Sequence, residues 1–281
     1  MMHIRGEQMT QISTDPARPL FERVALVTGG SRGIGYGIAE RLVRDGARVL
    51  ISSLHAADGT DAALALEAIG GPGRARHVQA DSASRADTES LVRTCVESFG
   101  RLDIVIANAG IDRGAPLIEM TDDDWDRVIE VDLRGVFLTV QAGARELVAE
   151  NHGGRIVAIA STNAFWVEAN LTSYNVAKAG TIALVRTAAI ELASKSITVN
   201  AVGPGLINTR LTAPTISSQI DGPWYLGQIP MRRFGQPADV AGAVAYLVSD
   251  DAAWVTGQHL IVDGGQTAGI DLPLSAITPH S

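Results

Sequence analysis

Cysteine is nearly absent from this 281-residue sequence. The single thiol, Cys95, excludes an internal disulfide, and a reducing cytoplasm is the compartment it suggests. Long apolar runs are missing too. None reaches the roughly 20 residues that span a bilayer. Residues 1–20 are polar, carry Pro16 and Pro19, and lack the apolar segment of a signal peptide. Basic charge is in deficit, with 23 Lys and Arg against 31 Asp and Glu, a net charge of −8 and no basic block. Nucleic acid and anionic membrane are therefore not expected as partners. The six histidines show no ligand spacing and Cys95 stands alone, so no metal site is expected.

What remains is a globular chain long enough for one large α/β domain. No linker and no internal repeat divides it. The expected organisation is a tail over 1–20, one domain over 21–265, and a second tail or lid over 266–281, where Pro273 and Pro279 fall. Apolar, β-branched runs occur at Val24–Val27, Arg48–Ser53, Ala75–Ala80, Leu102–Ala107, Arg155–Ala160, Ile197–Val202 and His259–Val262. Between them lie stretches of helical spacing at Ile34–Val43, Gly59–Ile69, Arg85–Phe99, Asp122–Glu150, Thr172–Ala193 and Pro237–Ser249. Thr121 suits an N-cap, and Asp122, Asp123 and Asp124 suit the positive end of the helix dipole. Residues 207–229 read as an irregular, mobile segment. Regular alternation of strand and helix predicts a parallel sheet covered on both faces.

Ligands of such sheets bind at the C-terminal strand ends. The first strand runs into Thr28-Gly29-Gly30-Ser31-Arg32-Gly33-Ile34-Gly35. A glycine-rich turn opening a helix presents free backbone N–H groups to a phosphate. An ordinary βα turn would read the same, so support is needed from elsewhere in the chain. Other strand ends carry Ser53, Asp81, Asn108, Ser161 and Gly203-Pro204. Tyr174 and Lys178 stand four apart on one helix and so share a face. The ammonium is expected to lower the tyrosine pKa, fitting it to exchange protons with an alcohol or carbonyl. Ser161 could hydrogen-bond the same oxygen.

With these residues in place, the sequence resembles the short-chain dehydrogenase/reductase family from Arg23 to Gly265. The matching motifs are Thr28-Gly29-x-x-x-Gly33-Ile34-Gly35, Asn108-Ala109-Gly110, Ser161, Tyr174-Asn175-Val176-Ala177-Lys178, and Pro204-Gly205 followed by Thr209. The resemblance implies a single-domain, Rossmann-like, doubly wound parallel sheet and an NAD(P)-dependent oxidoreductase, usually a homotetramer. It implies Tyr174 as general acid/base, Lys178 on the nicotinamide ribose and Ser161 on the substrate oxygen. Gly29, Ser31, Arg32, Gly33, Ile34 and Gly35 would form the cofactor turn. Ser53 would meet the ribose, and Asp81 and Ser82 would lie by the adenine. Asn108, Ala109 and Gly110 would hold the neighbouring strand end, with Pro204, Gly205, Ile207 and Thr209 at the nicotinamide.

One position departs from the family pattern. Val131-Asp132-Leu133-Arg134-Gly135 carries Asp132 where the family usually has Asn. An ionised carboxylate accepts hydrogen bonds but donates none, and its charge favours Lys178 as ammonium. A working but altered proton relay is expected. The alternative to an active enzyme is a cofactor-binding regulator or scaffold with impaired catalysis.

The second strand ends Ile51-Ser52-Ser53-Leu54-His55, without the acid that holds an NAD ribose. Arg32 suits a 2′-phosphate, with Ser53 and His55 adding hydrogen bonds. NADP(H) is favoured, with NAD(H) possible. Asn163, Phe165, Trp166, Glu168 and Asn170 fall between Ser161 and Tyr174 and are expected to line the substrate pocket, with Asn163 and the catalytic pair Ser161 and Tyr174 in contact. Trp224 and Tyr225 are placed to close over it. Small alcohols or ketones, sugars and acyl-carrier β-ketoesters all fit. The absence of an obvious basic face for a carrier protein leans towards a small polyol, sugar or ketone.

Overall fold

The computed structural model describes residues 19–269. Most of both expected tails lies outside these residues. Leu20 is buried at the edge of the core, and its N–H donates to the Asp45 carbonyl at 2.9 Å.

Seven parallel strands form one sheet in the order β3-β2-β1-β4-β5-β6-β7. They are β1 Val24–Val27, β2 Arg48–Ser53, β3 Ala75–Gln79, β4 Ile104–Ala107, β5 Gly154–Ile159, β6 Ile197–Pro204 and β7 His259–Val262. The helices are α1 Gly33–Arg44, α2 Ala56–Gly70, α3 Arg85–Phe99, α4 Asp122–Ile129, α5 Val136–Glu150, α6 Thr172–Leu192, α7 Ala213–Ser217, α8 Asp221–Gln228 and α9 Pro237–Val248. All four residues of β1 are buried. Ala25 and Val27 join the core under α1, α2 and α9, while Val24 and Leu26 join the core under α3, α5 and α6. Period-two side chains of one strand thus feed both cores, which is why the strand reads as an unbroken apolar run. Each fully buried Val or Leu here contributes about 1.5–3 kcal/mol.

Local signals place the helices. The Ser84 hydroxyl accepts from Asp87 N–H to open α3, and Gly100 closes it in the left-handed region at φ 85°. Thr121 accepts from Asp124 N–H to open α4. Three expectations need correction. The helix read over Asp122–Glu150 is broken by a π-helical turn, Glu130–Gly135. Helix α2 begins at Ala56, ahead of Gly59. Residues 207–229 hold two short helices, α7 and α8. The π turn has a tertiary cause. It lets Asp132 turn inwards, where Oδ1 accepts from Ile111 N–H at 2.8 Å, while its loosened carbonyl accepts from the Thr181 hydroxyl at 3.4 Å. Wide turns of this kind cost regular hydrogen bonds and concentrate at functional sites.

Candidate active site

Strand order reverses direction between β1 and β4, and the crevice outside their C-terminal ends is the expected ligand position in such a sheet. A cleft opens there. It is lined by Gly29, Ser31, Arg32, Gly33, Ile34, Gly35, Ser53, Asp81, Ser82, Asn108, Ala109, Gly110, Asp132, Ser161, Tyr174, Lys178, Pro204, Gly205, Ile207 and Thr209. Residues drawn from six loops therefore meet in one place.

The glycine turn is held from the side. Asn108 Nδ2 donates to the carbonyls of Thr28 and Gly29 at 2.9 and 3.1 Å, and Asn108 N–H donates to Thr28 Oγ1 at 3.0 Å. Gly35 has no room for a side chain, since a Cβ there would stand 2.3 Å from the Gly29 carbonyl oxygen and 2.4 Å from Asn108 Nδ2. Gly29 takes φ 63°, a backbone that favours glycine. Helix α1 opens with no side-chain cap on Arg32 and no acidic residue in its first turn. Its free N–H groups and positive dipole end point into the cleft, as an anionic pyrophosphate requires.

At the other end, Lys178 Nζ lies 3.0 Å from Asp132 Oδ2 and donates to the Ile159 carbonyl at 3.2 Å. An ammonium has three donors, so one remains for a ribose hydroxyl. Both charges are buried, Asp132 completely and Lys178 to 4 % exposure. Burial pushes the Asp132 carboxyl up, against the pull of Lys178 and of Ile111 N–H. Burial also pulls Lys178 down, but Asp132 and Tyr174 outweigh it, and the ammonium is held above its ordinary range. Lys178 Nζ stands 5.3 Å from the Tyr174 ring centre.

The expected lowering of the Tyr174 pKa is not found. Burial raises it, the opposing pull of Lys178 and the Ser161 hydroxyl is smaller, and Asp132 and Asp112 add to the rise. Spacing along a helix shows the ammonium but not the burial that outweighs it, to which Asp132 adds.

Asn163 sits behind Ser161. The turn Thr162–Ala164 folds it inwards, where it is 6 % exposed and absent from the cleft wall. Its N–H donates to Ser161 Oγ at 3.1 Å, and Nδ2 donates to Asn175 Oδ1 at 2.9 Å. Asn175 in turn donates to the Glu168 carbonyl at 2.8 Å. Asn163 therefore orients Ser161 and ties its loop to the residue beside Tyr174. Phe165, Trp166, Glu168 and Asn170 lie outside the cleft wall as well, with both aromatics about half-exposed. Tyr225 does reach this loop from α8, donating from Oη to Glu168 Oε2 at 3.0 Å, with Trp224 edge-on to it.

Sequence reasoning missed Asp58, Arg127, Ile111 and Arg210, all on the cleft wall. Asp58 is the most consequential. It sits in the first turn of α2, 3.5 Å from Arg32 Nη1. An acid was sought only at the end of β2, and the helix start was placed one residue beyond Asp58.

Comparison with known proteins agrees with this geometry. A family model described as enoyl-(acyl carrier protein) reductase matches residues 29–267. A 3-oxoacyl-[acyl-carrier-protein] reductase of Synechocystis sp. is 40% identical over 247 residues, 88% of this chain and 97% of that protein. An L-rhamnose 1-dehydrogenase (NAD(P)(+)) of Azotobacter vinelandii is 37% identical over 248 residues, again 88% and 97%. The crystal structure of a short-chain type dehydrogenase/reductase from Mycobacterium marinum superposes with a TM-score of 0.85 at 30% identity, covering 92% of this chain and all of that one. The chain belongs to the short-chain dehydrogenase/reductase family. It is an NAD(P)-dependent oxidoreductase that works between CH–OH and C=O groups. Among the described residues no helix is long and apolar enough to cross a membrane.

Proposed function

We propose that the protein interconverts a small, uncharged ketone and its secondary alcohol, with Tyr174 as the acid/base. The observation that carries this reading is the meeting of Ser161, Tyr174 and Lys178 at one end of a cleft whose other end is an uncapped helix N-terminus. A bound nicotinamide cofactor supplies hydride transfer to or from the substrate carbon. The turn Gly29–Gly35 fits its pyrophosphate, the spare donor of Lys178 fits the nicotinamide ribose, and Ile207 and Thr209 fit the ring end. Ser161, whose hydroxyl donates to Asn163 Oδ1 at 3.2 Å, turns that hydroxyl to the substrate oxygen when substrate binds. Tyr174 moves the proton to or from that oxygen. Water is kept out as the α7–α8 segment closes, with Tyr225 on Glu168 as its contact.

NADP(H) is the proposed cofactor. Arg32 is half-exposed, and a surface pair with Asp58 is worth only about 0.2–1 kcal/mol, so a 2′-phosphate offering bidentate, charge-assisted bonds can draw it away. NAD(H) remains usable through Ser53 and Asp58.

Carboxylates gather round Tyr225. Burial and Glu168, with Asp221 and Asp112 adding, push the Tyr225 phenol up to about 12. These carboxylates suit a polyol, sugar or neutral ketone better than an anionic acyl carrier. We further propose a cytoplasmic homotetramer, to be checked by light scattering. The deciding experiment is NADPH oxidation against a panel of neutral ketones and sugars. Turnover that vanishes in Tyr174→Phe supports the reading, and turnover that survives it refutes the assignment of Tyr174.

A further inference from the structure

Four groups face Tyr174 from the elements around it. They are Lys178 from its own helix, Asp132 from the π-helical turn, Ser161 after β5 and Asp112 from the loop after β4. A lone buried ammonium one helical turn away would draw the phenol towards ionisation. Here that ammonium is matched by a carboxylate 3.0 Å away, itself fully buried and fixed by Ile111 N–H. A second carboxylate, Asp112, follows directly after Ile111. Burial does most to keep the phenol protonated, and the two carboxylates add to it against the one ammonium.

We infer that Asp132, paired with Lys178 at 3.0 Å, offsets part of that ammonium's pull on the buried Tyr174, so that the phenol stays protonated at neutral pH and the site is set to reduce a carbonyl rather than to oxidise an alcohol. The inference rests on Tyr174 being the acid/base proposed above. In reduction, the carbonyl carbon accepts a hydride from the reduced nicotinamide while the Tyr174 phenol passes its proton to the carbonyl oxygen. The C=O bond becomes CH–OH, the nicotinamide is oxidised, and the phenolate regains a proton from solvent. That cycle starts from the phenol. Oxidation starts from the phenolate, which must take the alcohol proton, and so gains only as pH rises through the tyrosine pKa. Asp132 acts through Lys178 and Tyr174, and is a positioning residue.

The test titrates phenols by ultraviolet absorbance in the cofactor-free protein. The parent, Tyr174→Phe, Asp132→Asn and the double variant are compared, so that differences isolate Tyr174 from Tyr36, Tyr225 and Tyr246. Tyr174 is expected to ionise above the ordinary tyrosine range in the parent, and lower once position 132 is neutral. A parent midpoint below the ordinary tyrosine range overturns the inference whether or not Asp132→Asn folds. An unchanged midpoint in folded Asp132→Asn also overturns it. In turnover, the rising limb of alcohol oxidation should move to lower pH in Asp132→Asn by the same shift. The functional reading fails separately, on turnover surviving in Tyr174→Phe, and that result leaves the titration answer standing.

Discussion

Arg32 Nη1 lies 3.5 Å from Asp58 Oδ2, across the mouth of the cleft at the end of β2. Both side chains are about half-exposed, at 55% and 46%. The pair sets a cation that suits a 2′-phosphate against an anion that repels one. Neutralising Asp58 frees the cation and removes the repulsion together. Asp58→Asn is therefore expected to tighten NADPH binding by about fivefold, the worth of roughly 1 kcal/mol, and to leave NADH unchanged or weaker. Arg32→Gln is expected to weaken NADPH by tenfold or more, since a charge-assisted pair is lost. Nicotinamide fluorescence titrations with both cofactors measure this. NADPH affinity unmoved in both variants would mean that the phosphate lies elsewhere.

The Tyr225–Glu168 bond joins α8 to the loop that leads into Tyr174. It is the described contact between the segment read as irregular and the substrate side. Tyr225→Phe keeps the ring and its packing on Trp224 but deletes the donor. The expected result is a KM raised about fivefold, from one hydrogen bond of about 1 kcal/mol, with kcat little changed because the bond is remote from the reacting oxygen. A kcat that falls in step with kcat/KM would place Tyr225 in the chemistry itself.

Much of this arrangement was legible in the sequence, for reasons that can be traced residue by residue. Strands such as Ile104–Ala107 are buried on both faces, so their pattern is an uninterrupted apolar run with no other reading in an alternating chain. The cofactor turn was legible because its glycines have no substitute there. The π turn was not, because Glu130–Gly135 has ordinary helix-forming residues on either side and its cause lies in Ile111 and Thr181, far along the chain. The contacts of Asn163 were not legible for a related reason. Its position between Ser161 and Tyr174 says which loop it occupies, but only the fold shows that the loop turns it towards Asn175. The direction of the Tyr174 pKa was not legible because burial, its largest cause, is a three-dimensional fact, and Asp132, which adds to it, lies 42 residues earlier.

Asn108 links strand order to cofactor geometry. One amide nitrogen satisfies two carbonyls of the glycine turn. Asn108→Ala leaves both without that donor in a half-buried site, which should cost about 1–3 kcal/mol. The protein is expected to fold with a lower Tm, and cofactor affinity should fall with it because the turn loses its brace. Asn108→Asp is expected to fare no better, since a carboxylate cannot donate to those carbonyls and adds a charge beside a pyrophosphate site. If either variant keeps both parental Tm and parental cofactor affinity, the brace is dispensable.

Asp239 gives a pH dependence with a definite sign. Its carboxylate accepts from Arg233 at 2.7 and 2.9 Å and from Gln236 N–H at 2.7 Å, at the start of α9. Arg233 first, then the Gln236 N–H, holds its pKa below the ordinary 3.8. The folded state therefore binds the proton less readily than the unfolded chain. The stabilisation is complete above the ordinary carboxyl pKa and is lost as pH falls through the depressed folded value. Helix α9 packs on α1 and buries Val240, Val244, Leu247 and Val248, so fraying at its start is felt by the whole domain. Asp239→Asn is expected to lose about 1 kcal/mol at pH 7, the usual worth of a carboxylate at a helix start. Thermal melts of parent and variant should differ at pH 7 and converge towards pH 3 as the parental carboxylate takes up its proton. A gap that stays constant across that range would show that the bonds to Asp239 stabilise by shape and not by charge.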